Sequence, residues 1–381
     1  MIPFIDLVAQ QKRIRPQLEA AMLRVLDHGG YIMGPEVGKL ETQLSTFCGA
    51  QHTLSCSNGT DAIALVLMAK NVGPGDAIFI PSFTFAATAE VVAWMGASAV
   101  FIDVREDTFN MDLESLEKGI QKAKTLGLRP CGIIPVDLFG QAADYDHINA
   151  LAEKHELWVM ADAAQSFGGT YKGRKVGSLA ESTSTSFFPA KPLGCYGDGG
   201  AVFTENEKLL TILKSLRVHG QGEDKYQNIR VGMNGRLDTL QAAILIEKLA
   251  IFPEEISLRQ KVADRYSQGL HNLVATPFVE KECQSAWAQY TLRVDPKKRK
   301  DIMEGLKKEG IPSVIYYPLP LHHQKAYSCY PCATDTLPVS EALANSVLSL
   351  PMHPYLEADV QDRIIRTFHD VATGTGAKKV N

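Results

Sequence analysis

One lysine in this chain sits where an amine would become nucleophilic. Lys191 stands between Pro189 and Pro192, after the apolar pair Phe187 and Phe188 and before Gly194, Gly197, Gly199 and Gly200. Rigid turns and aromatic neighbours desolvate an ammonium group, which lowers its pKa and frees its lone pair. The natural product of such an amine with a carbonyl is a Schiff base. A structural Gly/Pro loop carrying an incidental lysine is the plain alternative for this stretch taken alone.

Two other stretches narrow the chemistry. Residues 157–161 read as a buried strand that delivers Asp162, with Gln165 and Ser166 close behind. A carboxylate at the carboxyl end of a parallel strand points into the ligand crevice of an open α/β sheet. Pyridoxal phosphate (PLP) needs such a group, because its ring nitrogen must stay protonated if the ring is to draw electrons. Further back, Ser57-Asn58-Gly59-Thr60-Asp61 precedes an apolar run at 62–69. It reads as a loop opening a helix, whose free N–H groups and positive dipole end suit a phosphate. Each feature alone is more often a plain cap. Together they specify a cofactor.

The same residues carry a resemblance. Asn-Gly-Thr-Asp-Ala at 58–62, Pro-Ser-Phe-Thr-Phe at 81–85, Asp-Ala-Ala-Gln-Ser at 162–166, Ser-Phe-Phe-Pro-Ala-Lys at 186–191 and Gly-Asp-Gly-Gly-Ala at 197–201 resemble the DegT/StrS family of nucleotide-sugar aminotransferases. The likeness covers nearly the whole chain in the family's order. Within the family, the run from Arg230 to Asp238 and the run Ser349-Leu-Pro-Met-His-Pro-Tyr355 are similar to bacterial transaminases acting on UDP-2-acetamido-2-deoxy-3-keto-glucuronate.

The resemblance implies an α/β protein of PLP-dependent aminotransferase fold type I. A large domain with a mainly parallel sheet would occupy 1–250, and a smaller α+β C-terminal domain 251–381. It implies that Lys191 bonds to PLP and then shuttles the proton, that Asp162 pairs with the ring nitrogen and that Gln165 bonds the ring hydroxyl. Phe85 would stack on the ring, and Gly59, Thr60 and Ser186 would hold the phosphate. Asn234 would reach the phosphate of the neighbouring subunit, which makes the active unit a homodimer with shared sites. Some relatives carry histidine at the lysine position and dehydrate their substrate, so Lys191 favours transamination. Glutamate is the implied donor, released as 2-oxoglutarate, and a nucleotide keto-sugar the acceptor. Tyr316, Tyr317 and Arg236 fall on the sugar side, and Arg236 offers a planar fork that suits a carboxylate. Tyr316 stands where the uronate transaminases lead one to expect histidine. Two rivals stay open: an aminotransferase for a dTDP-linked 3-keto or 4-keto 6-deoxy sugar, and a non-catalytic regulator that binds PLP.

The rest of the chain must position these groups. With 381 residues it has room for one large and one smaller domain. Its 43 acidic residues against 39 basic ones argue against a nucleic-acid partner. No apolar run approaches the ~20 residues of a membrane span, and the N-terminus lacks an export signal, so the expectation is a cytoplasmic protein with no membrane contact. The seven cysteines, odd in number and scattered, read as reduced thiols. Cys329 and Cys332, with His322 and His323 upstream, lack a second pair at zinc spacing and read as a Pro-rich surface loop, with no metal.

The periodicity predicts helices over 14–28 and from Glu36 onward, then short apolar strands at 77–80, 99–103, 132–136, 157–161 and 201–204 alternating with helical stretches. That alternation is the pattern of a helix-covered, mainly parallel sheet. An apolar helix over 237–249 is expected to break at Phe252-Pro253, with a new helix from Glu254 leading into the C-terminal part. Strands are expected at 288–294 and 313–317. The tail after Thr373 holds too few apolar residues to pack.

Overall fold

Alternating apolar strands and amphipathic helices leave each strand with two faces to cover, and the chain meets this by laying helices on both sides of one sheet. The computed structural model describes residues 2–374 of the chain; the tail from 375 to 381 lies outside the described residues.

Two helices open the chain, α1 (Leu7–His28) and α2 (Pro35–Cys48). Asp6 caps α1 by accepting the Ala9 N–H at 2.9 Å, and Gly29, at φ 66°, ends it in a left-handed turn that L side chains disfavour. There follow β1 (His52–Cys56), α3 (Gly59–Ala69), β2 (Asp76–Pro81), α4 (Ala87–Trp94), β3 (Ser98–Ile102), α5 (Leu113–Thr125), β4 (Arg129–Ile133), α6 (Tyr145–Lys154) and β5 (Trp158–Asp162). A hairpin of β6 (Thr170–Tyr171) and β7 (Arg174–Lys175) leads to β8 (Ser182–Ser186), β9 (Gly200–Thr204) and α7 (Glu207–Arg217).

Seven of these strands form one sheet in the order β1-β9-β8-β5-β4-β2-β3. From β8 to β3 every pair is parallel, and β9 runs antiparallel to both β1 and β8. One face is covered by α3, α4 and α7 residues such as Leu65, Val91 and Leu213, the other by α5 and α6 residues such as Leu116, Ile120 and Ile148. The fold is the expected α/β class with a mainly parallel sheet.

The C-terminal part begins inside one long helix, α8 (Thr239–Leu270). It continues through β10 (Cys283–Gln284), which joins the β6–β7 hairpin, then β11 (Tyr290–Arg293), α9 (Pro296–Lys308), α10 (Pro338–Ser346), β12 (Val347–Leu350) and α11 (Ala358–Thr373). β11 and β12 pair antiparallel and share an apolar core with α9 and α11 built from Leu292, Leu306, Leu348 and Phe368. None of the described helices is long and apolar enough to cross a membrane. All seven cysteines are free.

Two local expectations fail, and one strand goes unannounced in the sequence. The helix does not break at Phe252-Pro253: α8 runs for 32 residues with Pro253 inside it. Proline in a helix interior costs ~3 kcal/mol, whereas Phe252, Leu249 and Ile256 are all buried against α2 and the sheet, each worth ~1.5–3 kcal/mol. Packing outweighs the missing hydrogen bond. Residues 313–317 form no strand; Val314 makes a single bridge to Ser349. Strand β8, written Ser-Thr-Ser-Thr-Ser, has no apolar residue to announce it, yet all but its last residue are buried.

Because Pro253 is exposed and held in the helix only by its neighbours, Pro253→Ala restores a donor without opening a cavity. We expect chemical denaturation to show equal or greater stability, by up to ~3 kcal/mol. A loss of stability would mean that the helix needs the proline as a break.

Candidate active site

Strands β2, β5 and β8 run parallel, and β1 matches their direction because β9 is antiparallel to both β1 and β8. All four therefore end at one edge of the sheet. Every strand-end segment singled out by its chemistry leaves from that edge: Gly59 and Thr60 after β1, Phe85 after β2, Asp162 and Gln165 at β5, Ser186 and Lys191 at β8.

Register brings the first and last of these together. Gly200 pairs with Cys56 on one side and Ser186 on the other. A Cβ on Gly200 would lie 2.4 Å from the Asn58 carbonyl oxygen, and one on Gly59 would lie 2.6 Å from Ser186 Cβ. Only glycine fits at either place. Asn58 caps α3 by accepting the Asp61 N–H at 2.8 Å, which leaves the Gly59 and Thr60 N–H groups without helical acceptors. With Ser186 beside them, these donors form an anion seat at a helix N-terminus.

Asp162 is 6 % exposed. Its carboxylate accepts from Thr88 Oγ1 at 3.0 Å and from the Ala164 N–H at 3.1 Å. Burial raises its pKa, against the opposing pull of those two donors and of Lys191. Lys191 shows the complementary effect: burial lowers the pKa of its amine, with Asp162 opposing. Its backbone is fixed by a turn in which its N–H donates to the Phe188 carbonyl at 2.9 Å. Two neighbouring groups are thus each pushed toward neutrality.

Gln165 accepts the Phe139 N–H at 2.7 Å and donates to Tyr317 Oη at 3.3 Å, which leaves one amide N–H to spare. The Tyr317 ring sits 6.2 Å from Phe85 and 6.3 Å from Phe83. Phe85 is 57 % exposed, so it is not a core aromatic but an uncovered ring beside Tyr317. The Tyr316 ring lies 5.8 Å from that of Tyr317 and 6.3 Å from that of Phe4. The peptide bond between the two tyrosines is cis.

Arg236 is part-buried, and its Nε is buried with no hydrogen-bond partner; among the described residues it joins no ion pair. Asn234 is exposed, two residues away. The segment is tied to the anion seat by the Ser57 N–H, which donates to the Gly235 carbonyl at 3.0 Å. The structure therefore gathers Gly59, Thr60, Ser186, Asp162, Gln165, Lys191, Phe85 and Tyr317 at one edge. It leaves Asn234 facing outward. The reading of the sequence missed Thr88, whose only signal was its place in the first turn of the helix after β2.

These residues suit PLP. A buried carboxylate of raised pKa would gain from a cationic ring nitrogen, a desolvated amine could meet an aldehyde, and a helix N-terminus beside Ser186 would suit the phosphate.

Comparison with known proteins agrees. The profile of the DegT/DnrJ/EryC1/StrS aminotransferase family matches residues 12–369. The chain is 50 % identical over 358 residues to the UDP-2-acetamido-2-deoxy-3-oxo-D-glucuronate aminotransferase of Pseudomonas aeruginosa, covering 94 % of this chain and 96 % of that one. Among solved structures it is similar to a DegT/DnrJ/EryC1/StrS aminotransferase from Brucella abortus, with a TM-score of 0.95, 50 % identity and coverage of 97 % and 99 %. It is also similar to NtdA of Bacillus subtilis with its cofactor PMP bound, with a TM-score of 0.87, 29 % identity and coverage of 97 % and 83 %.

Gly59→Ala places a methyl group against Ser186 and pushes the seat apart. Titration of cofactor-free protein with PLP, followed by absorbance, should show affinity reduced about tenfold or more, or at least ~1.4 kcal/mol. Unchanged affinity would remove Gly59 and Ser186 from the phosphate seat.

Proposed function

The chain belongs to the DegT/DnrJ/EryC1/StrS aminotransferase family, and on that premise we propose that it moves an amino group from glutamate to the 3-keto carbon of a UDP-linked 2-acetamido-2-deoxy uronate. It is a PLP-dependent nucleotide-sugar aminotransferase. The amino uronate would serve surface polysaccharide such as O-antigen. We place the enzyme in the cytoplasm, in keeping with the absence of a membrane-spanning helix among the described residues.

PLP supplies a carbonyl that accepts amines and a protonated ring that draws electrons from the bonded carbon. The chain supplies the rest. In this reading Asp162 faces the ring nitrogen and keeps it protonated, and Thr88 and Ala164 hold the carboxylate in place. Gln165 spends its spare N–H on the ring hydroxyl. Phe85 covers one face of the ring and excludes water from it. Gly59, Thr60 and Ser186 hold the phosphate. Lys191, its amine held toward the neutral form by burial, would take the substrate carbon's proton at Nζ and return it to the cofactor carbon. Residues 1–250 would hold the cofactor, and 251–381 would contribute Tyr316 and Tyr317 toward the sugar.

Arg236 is the observation that carries the choice of a uronate. A part-buried guanidinium with Nε unpaired has an unmet demand for an anion, and both proposed substrates, glutamate and the uronate, present a carboxylate. The two would use it in turn, since the amino donor leaves before the acceptor binds. The P. aeruginosa relative acts on a uronate by its name, which supports the same choice.

Asn234 supports a shared site. It is exposed on a segment where Tyr226, Ile229 and Val231 are exposed at 85 %, 53 % and 88 %, a surface suited to a second copy of the chain. In the homodimer Asn234 would reach the partner's phosphate seat. Sedimentation of the working enzyme should give a dimer or a larger even assembly; an active monomer would refute the shared site.

Removing one partner of a desolvated charge pair costs ~2–5 kcal/mol. Arg236→Ala should therefore slow single-turnover amination of the uronate by roughly 30-fold or more, read as release of 2-oxoglutarate from glutamate and conversion of the UDP-keto-sugar. The 6-deoxy counterpart, which has no carboxylate, should lose much less in its own half-reaction. Equal losses would end the carboxylate role and favour a dTDP-linked 6-deoxy substrate.

A further inference from the structure

Outside this site, one cluster of ligating side chains has no role in the transamination. His322 and His323 occupy a single 3-10 turn, Leu321–His323, and Glu341 lies in the first turn of α10. We propose that His322, His323 and Glu341 bind a divalent transition cation of the zinc type.

The geometry comes first. One ligand atom from each residue, the two imidazole nitrogens and a carboxylate oxygen, lies within 4.8 Å of the others. His322 Nε2 is 3.4 Å from Glu341 Oε1, and His323 Nε2 is 3.9 Å from the same oxygen. In a tetrahedral zinc site with bonds of about 2.0–2.1 Å, neighbouring ligands stand about 3.3 Å apart. His322 and Glu341 already have that spacing. His323 is 47 % exposed at its side chain, so its ring is free to rotate toward the other two.

The surroundings then fix the orientation of His322. Its side chain is 7 % exposed, and Nδ1 lies 2.6 Å from Ser82 Oγ. That contact holds the ring with Nε2 turned toward the Glu341 carboxylate. This is how ligating histidines are commonly oriented, with the second ring nitrogen hydrogen-bonded to the protein. Two imidazoles and one carboxylate are a donor set suited to zinc, cobalt or nickel, and the exposed side of Glu341 and His323 leaves room for water in the fourth position.

The site joins three parts of the chain. Ser82, which also accepts the Leu321 N–H at its carbonyl at 2.8 Å, is three residues before Phe85, and the histidine turn follows Tyr317 by five residues. An ion here fastens the segment that carries Tyr317 to the strand-end loop that carries Phe85. The sequence drew attention to Cys329 and Cys332 in this region; Cys329 is exposed, and neither joins the ligand cluster.

The test uses the full chain, PLP-loaded, without an affinity tag and freed of metal by a chelator. Equilibrium dialysis against zinc chloride should give one ion per chain at roughly 100 μM free Zn2+, with a melting midpoint that rises as the ion binds. Cobalt should give visible bands of a low-coordinate site with the same stoichiometry. His323→Ala and Glu341→Gln should each weaken binding about tenfold or more, and Cys329→Ser with Cys332→Ser should leave it unchanged. His323 is exposed, so its variant tests the site without endangering the fold. No stoichiometric binding, binding that survives both ligand variants, or binding lost with the cysteines would each overturn the proposal.

Discussion

The site depends on one antiparallel strand. β9 lies between β1 and β8, and its first residue, Gly200, is paired with the last residue of each. That double pairing sets the end of β1 level with the end of β8, so the loop that opens α3 meets Ser186. A slip of one residue would turn every side chain of β9 to the other face and carry the loop away from the serine. The two glycines at the junction, Gly59 and Gly200, mark where backbones meet too closely for any side chain. Antiparallel pairing within a parallel sheet is thus the device that aligns the anion seat with the lysine turn.

Around that frame the fold maintains groups that it does not itself satisfy. Asp162 and Lys191 are both displaced from their ordinary pKa by burial, and Arg236 Nε has no acceptor. Nearby Asp137 is the contrast. It is fully buried and its pKa is pushed up to about 7, yet its carboxylate is occupied by Ser166 Oγ at 2.6 Å, Tyr145 Oη at 2.7 Å and the Ala143 N–H at 2.8 Å. Asp137 secures the turn after β5; Asp162, one strand over, keeps capacity in reserve. A polar group that is buried and incompletely satisfied is costly, and Asp162 and Lys191 stand together at one edge of the sheet, where a ligand would repay the cost.

Much of this was legible in the sequence because strand-end chemistry is local. Asp162 follows an apolar strand, Gly59 precedes an apolar helix, and Lys191 sits among prolines and glycines, so residue type and position sufficed. What the sequence hid depends on partners far along the chain. β8 contains only serine and threonine, and its burial comes from β5 and β9, not from its own hydrophobicity. Pro253 reads as a breaker, yet the contacts that carry the helix through it belong to α2 and the sheet. Thr88 became relevant only when β5 brought Asp162 within 3.0 Å of it across 74 residues of sequence. The segment at 313–317 looked like a strand by composition, but pairs at one residue only.

The continuity of α8 has a mechanical consequence. Its 32 residues span about 48 Å at ~1.5 Å each. The first half contributes Leu245, Leu249 and Phe252 to the core beside the sheet, and the second half contributes Val262, Tyr266 and Leu270 to the C-terminal core. A rod shared by two cores behaves as a beam: one part cannot swivel against the other without bending it or stripping buried contacts from an end. Closure over a substrate is then left to the parts that the beam does not stiffen, the exposed Phe85 ring and the loops at the strand ends.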